Sequence, residues 1–154
     1  MLTIDDITQL PELVGRDLGK SGYMTASQEA ICAFADATGD HQWIHVDPER
    51  ARRESPFGGP IAHGYWTLSV VPELLTEQLI SFPGAQMAIN YGIEKMRFPS
   101  PVPIGSEVFL EASIGQVDDK GSGVYDITFD IKVWVRDKLD KPAVVGGVIY
   151  RVMG

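Results

Sequence analysis

The sequence holds a single cysteine, Cys32, among 154 residues. No intramolecular disulfide can form, which predicts a reducing compartment, the cytoplasm, and argues against secretion. Cys32 falls inside an amphipathic helical pattern, where a small buried hydrophobe is the ordinary role. Basic residues are also scarce: 13 Lys and Arg stand against 21 Asp and Glu, a net charge of −8. That balance argues against a nucleic-acid footprint and against a surface drawn to anionic membranes. An anionic ligand would need a local patch, and the chain offers two, Arg50/Arg52/Arg53 and Lys95/Arg97. No apolar run approaches the roughly 18 residues of a membrane span. The N-terminus, MLTIDDITQLPELVG, lacks the basic-then-apolar order of a signal peptide. There is no internal repeat, low-complexity tract or linker, so residues 1–154 are expected to form one domain with a core of its own.

What is present falls into two halves. Residues 1–22 read as a short helix or loop closed by a turn at Gly19–Gly22. A capping-box pattern, Thr25-x-x-Gln28, opens a helix whose apolar face is Ala30/Ile31, Phe34/Ala35 and Thr38, and Gly39 suits the left-handed residue that ends it. Asp47-Pro48 starts a second short helix, to about Arg53. SPFGGP (55–60) is a loop by composition. From Gly64 to about Leu79 the chain is apolar nearly all round, the mark of a buried helix, with Pro72 expected to kink it. Beyond Pro83-Gly84 the period becomes two. Met87, Ile89 and Tyr91 alternate, then Val108 to Ile114, then Tyr125 to Val135, and Val144 to Val152 forms a last strand, with turns at Asp118–Gly123 and Asp137–Pro142. Helices followed by four or five antiparallel strands with one apolar face predict an α+β architecture in which a sheet wraps round the apolar helix.

The stretch that could carry chemistry is 34–69. Asp40 follows the helix stop, and His45 stands five residues later. A carboxylate and an imidazole with separated pKa values can hold and activate one water and return its proton, as hydration of an α,β-unsaturated thioester requires. His63-Gly64 opens the apolar helix. A glycine there lets backbone N–H groups approach an oxygen that gains negative charge; Gly64 could equally serve tight packing, with His63 a satisfied core polar group. His41 and His45 have i,i+4 spacing and lie near Asp40 and Asp47, but the segment is too short for a helix that would aim both at a metal, so no metal site is expected. The Arg50–Arg53 run reads as a solvated helix face. Trp43, Tyr65 and Trp66 could line an acyl pocket or belong to the core. Asn90 is the polar residue of an apolar strand start.

These residues resemble the MaoC-like dehydratase family, the (R)-specific enoyl-CoA hydratases. The likeness lies in DHQWIH, HVDP and PIAHGYWTLS, and continues through INYGIEKMRFPSPVPIGSEV (89–108). The chain is most similar to the short single-domain bacterial members, which include proteins named after nodulation protein N. The resemblance implies a hot-dog fold, a long curved antiparallel sheet around a central helix. It implies Asp40 and His45 as catalytic residues, the Gly64 amide as the oxyanion contact and Ser69 as a support of the site. His63, Tyr65, Asn90 and Arg97 join Ser69 as candidates for substrate contact. It further implies a homodimer with sheets paired edge to edge and the site near the interface, and higher oligomers stay open. No metal or redox cofactor is implied, since coenzyme A arrives as part of the substrate. Gln42-Trp43 replaces the Asn-Pro of many members, which alters the turn beside the pair. Tyr65-Trp66 is bulkier than the usual aliphatics, which would shorten an acyl tunnel.

The expected reaction is reversible hydration of a trans-2-enoyl-CoA to the (R)-3-hydroxyacyl-CoA. Two alternatives stand beside it. One is a hot-dog acyl-CoA thioesterase, for which the central run offers only Glu73 as a carboxylate. The other is a non-catalytic acyl-CoA-binding module, whose binding would be indifferent to Asp40→Asn.

Overall fold

The computed structural model describes residues Met1–Gly154. A short strand β1 (Leu2–Thr3) is followed by a 3-10 helix (Ile7–Leu13), capped by the Asp6 carboxylate, and by strands β2 (Asp17–Lys20) and β3 (Met24–Thr25). Helix α1 (Gln28–Thr38), α2 (Trp43–Val46), α3 (Pro48–Glu54), α4 (Gly64–Ser69) and α5 (Val71–Thr76) come next, then strand β4 (Ile80–Ser81). Four long strands complete the chain: β5 (Met87–Arg97), β6 (Glu107–Gly121), β7 (Val124–Val135) and β8 (Val144–Met153). The main sheet is antiparallel in the order β2-β6-β7-β8-β5, with β3 also paired to β6; β1 and β4 form a separate parallel pair. This is an α+β hot-dog fold.

The alternating residues of β6 and β7 do what their period requires. Val108, Leu110, Ala112 and Ile114, and Tyr125, Ile127, Phe129, Ile131, Val133 and Val135, are all buried. They share one core of 28 residues with Trp66, Val71, Leu74 and Leu75 of the central helices. That helix is broken, as Pro72 predicts, into two six-residue segments that meet at Val70. It is also not apolar all round in its setting: Tyr65 and Ser69 are exposed on its outer side. The hairpin between β6 and β7 is tighter than its composition suggests. Gly121 and Val124 still pair, and only Ser122-Gly123 turn, both with positive φ (56° and 73°) as a two-residue turn of this hand demands.

Three expectations are corrected. Helix α1 starts two residues later than the capping box implied: Ser27, not Thr25, is the N-cap, and its Oγ accepts from the Ala30 N–H at 3.1 Å. The segment read as a turn at Gly19–Gly22 contains part of strand β2; Gly19, at φ +80°, sits in the strand where its register against β6 shifts, so the glycine marks a bulge. The alternation of Met87, Ile89 and Tyr91 is real, but it faces away from the helices. Ala88 and Asn90 lie opposite the buried Val152 and Tyr150, whereas Ile89 lies opposite Arg151. Strand β5 is the sheet's edge, and Met87, Ile89, Tyr91 and Ile93 are exposed at 53%, 39%, 52% and 54%.

Candidate active site

Helix α1 ends at Gly39, whose left-handed φ of +81° turns the chain away while its N–H donates to the Ala35 carbonyl. Asp40 is thereby delivered to the protein surface. Its Oδ1 accepts the Gln42 N–H at 3.3 Å, and its carbonyl accepts a hydrogen bond from His63 Nε2 at 2.9 Å. The next residues form α2, a single turn that begins after His41, so His41 and His45 do not share a helix face. That turn places His45 inward, 6% exposed. The Pro/Gly loop returns to the same turn, because the Ile61 N–H donates to the Ile44 carbonyl. That return brings the Ile61 carbonyl to 2.7 Å from His45 Nδ1.

A carbonyl can only accept, so His45 Nδ1 carries the proton and Nε2 presents a bare lone pair. Burial pushes the His45 pKa down, and the neighbouring His63 adds to this; the Ile61 hydrogen bond and the Asp40 charge pull the other way. The same logic fixes His63 with its proton on Nε2. His63 is 2% exposed, stacks on His45 with ring centroids 3.9 Å apart at 28°, and leaves Nδ1 buried without a partner. Side-chain ligand atoms of Asp40, His45 and His63 lie within 4.8 Å of one another. An acid, a base of lowered basicity and a second imidazole therefore meet across 23 residues of sequence.

The next residue along, Gly64, begins α4. The first N–H groups of a helix have no intrahelical acceptor, and the Gly64 N–H has no acceptor among the loop and cap hydrogen bonds. A Cβ at this position would meet the Phe98 ring at 3.0–3.3 Å, so any larger residue would require that ring to shift. Tyr65 is exposed at 67% and touches Phe98 edge-on. One turn further, Ser69 donates its hydroxyl to the Tyr65 carbonyl at 2.6 Å and lines a cavity of about 350 Å³ between the central helices and the β5–β8 edge. Leu68, Pro72, Asn90, Ile93 and Tyr150 share that wall. The buried Tyr150 hydroxyl has no partner, and burial pushes its pKa up to about 12.

The structure thus gathers Asp40, His45, His63 and Gly64 at one place and puts Ser69 and Asn90 in the neighbouring cavity. Arg97 is exposed, donates only to the Met96 carbonyl and lines neither this cavity nor the larger groove on the sheet's other face. His41 is separate from the site and pairs with Asp36 at 2.9 Å. Of the arginines, Arg50 lies over Trp43 at 4.4 Å and bonds Glu54, the solvated-face arrangement. Gln28 was not singled out as a site residue, yet its Nε2 donates to the His45 carbonyl at 2.7 Å and ties α1 to α2. Its only sequence signal is a polar residue in the first turn of α1, which reads as capping. A metal held by Asp40, His45 and His63 would have to lie in both ring planes, about 2 Å from each nitrogen. Two stacked rings tilted by 28° do not offer that geometry.

A family model described as "MaoC like domain" matches residues 9–134. The 3-hydroxyacyl-thioester dehydratase Z of Mycobacterium tuberculosis is 46% identical over 151 residues, covering 98% of each chain. Nodulation protein N of Rhizobium leguminosarum bv. viciae is 38% identical over 143 residues, 93% of this chain and 88% of that protein. Among solved structures, an (R)-hydratase from A. caviae involved in PHA biosynthesis superposes with a TM-score of 0.67 at 26% identity, covering 86% of this chain and 93% of that one. A MaoC-like dehydratase from Rhodospirillum rubrum gives 0.70 at 26%, covering 88% and 89%.

Proposed function

The chain belongs to the MaoC-like domain family, and from that premise we propose that it hydrates trans-2-enoyl-CoA thioesters reversibly to the (R)-3-hydroxyacyl-CoA. Dehydratase activity itself is supported by the relatives named as dehydratases. The observation that carries the finer reading is the Asp40 carboxylate beside a His45 whose Nε2 is bare and whose Nδ1 is locked onto the Ile61 carbonyl. A water held between the two loses a proton to His45 Nε2 as its oxygen bonds the β-carbon. The carbon–carbon double bond shifts its electrons toward the thioester, whose oxygen becomes anionic and is met by the Gly64 N–H. His45 then returns the proton to the α-carbon, so that hydroxyl and hydrogen join the same face. Asp40 orients the water and offsets the imidazolium charge. Ser69 and Asn90 border the cavity in which the acyl tail would lie. Coenzyme A enters as part of the substrate, and the single Cys32 fits a reducing compartment such as the cytoplasm.

We place the site in a homodimer. An 11-residue edge strand with four exposed apolar side chains is a surface that a second copy would cover, joining two sheets edge to edge. No helix is long and apolar enough to cross a membrane.

The test is incubation of the purified protein with crotonyl-CoA, following enoyl-thioester absorbance and free thiol in parallel. Loss of absorbance without thiol is the expected result. Thiol release from acyl-CoA without hydration would replace the reading with a thioesterase, and binding without either signal would replace it with a non-catalytic module.

A further inference from the structure

We propose that His63 is the positioning residue that holds the acid, the base and the oxyanion amide in one frame; this rests on the functional reading above. Asp40 sits on an exposed turn, and the only hydrogen bond reaching it from a distant part of the chain is the one His63 Nε2 donates to its carbonyl. The same imidazole stacks on His45 with ring centroids 3.9 Å apart, with Phe34 tilted against it at 5.1 Å. Its own backbone leads straight into Gly64, and its carbonyl accepts from Thr67 N–H and Oγ1 at 3.1 and 3.2 Å, which fixes the first turn of α4. One buried residue therefore joins every part of the proposed machinery, Asp40 and His45 through its side chain and Gly64 through its backbone. It is not aimed at substrate: 2% of it is exposed, and its free Nδ1 is enclosed.

Two variants separate its two contacts. His63→Phe keeps a ring against His45 but has no donor for the Asp40 carbonyl. His63→Gln keeps a donor but loses the stacking. In His63→Phe, kcat for crotonyl-CoA hydration should fall about a hundredfold, the cost of misplacing a catalytic group by about 1 Å, while KM stays within about threefold. Backbone relaxation should report lower order at Asp40 and His41 than in the wild type. In His63→Gln that order should be retained and kcat should recover to within about tenfold of wild type. A folded His63→Phe with wild-type kcat overturns the proposal, whatever the relaxation shows, and so does a His63→Gln no better than His63→Phe. Where His63→Phe does not fold, His63→Gln decides alone, and a kcat more than about tenfold below wild type overturns the proposal. If the wild-type protein hydrates nothing, it is the functional reading that fails, and unchanged order at Asp40 in His63→Phe would then independently refute the anchoring.

Discussion

Replacing Asp40 by Asn should separate activity from stability. The side chain is exposed, and its carboxylate accepts a single protein hydrogen bond, the Gln42 N–H at 3.3 Å, which an amide oxygen can accept equally well. Exposed substitutions of this kind fall within about 0.5 kcal/mol. In a chain of this size that moves Tm by less than about 2 °C. The reaction loses the charge that orients water and stabilises imidazolium, and general acid–base groups contribute about 10²- to 10⁴-fold. That corresponds to about 3–5 kcal/mol of barrier. His45→Gln should show the same loss of rate with a different stability cost. His45 is 6% exposed, donates to Ile61 at 2.7 Å and stacks on His63. Removing one partner of a buried hydrogen bond costs about 1–3 kcal/mol, so Tm should fall by several degrees. Initial rates with crotonyl-CoA and thermal melts on the same preparations provide both readouts. An Asp40→Asn protein active to within about tenfold of wild type would refute the assigned role. One that melts many degrees lower would refute the claim that the carboxylate is structurally idle.

Burial lowers the His45 pKa from its ordinary 6.5, so kcat/KM should stay flat through neutrality and fall only as pH drops below that value. A limb centred above 6.5 would contradict the buried neutral base. The same residue is protonated in the unfolded chain before the folded one, so its contribution to stability is complete above 6.5 and is lost as pH falls toward its lowered folded pKa; this pH dependence should disappear in His45→Gln. On the outer face of the sheet, Arg151 binds both oxygens of Asp126 at 2.7 and 2.8 Å, and Asp126 is 7% exposed. Arg151→Met should lower the urea midpoint, because the carboxylate loses its two-pronged partner and keeps only Lys120 at 3.7 Å; an unchanged midpoint would show that Lys120 suffices. Sedimentation should give a dimer for the wild type and a monomer for Ile93→Lys on the free edge, and a monomeric wild type would remove the edge-to-edge proposal.

The parts of the fold legible in the sequence are those whose pattern has only one physical meaning. The strict alternation of β6 and β7 could only be a one-sided strand, and Gly39 and Asp47-Pro48 could only punctuate helices. Strand β5 carries the same period, yet periodicity does not say which face meets the helices and which meets another molecule. Strand β2 was hidden by Gly19, whose bulge has the composition of a turn. At the site, the Asp40/His45 pair was legible through DHQWIH and its resemblance. The contacts that shape it were not: His63 reaches Asp40 across 23 residues and Ile61 reaches His45 across 16. Such contacts depend on how the Pro/Gly loop folds back onto α2, which no local spacing encodes.

The measurement that bears most directly on the central claim is hydration of crotonyl-CoA in D₂O, with both stereocentres of the 3-hydroxybutyryl product assigned. A water held by Asp40 and His45, with His45 passing the proton on, predicts the (3R) alcohol with deuterium added at the α-carbon from the same face as the hydroxyl. The (3S) alcohol, deuterium on the opposite face, or no hydration by the folded protein would contradict it.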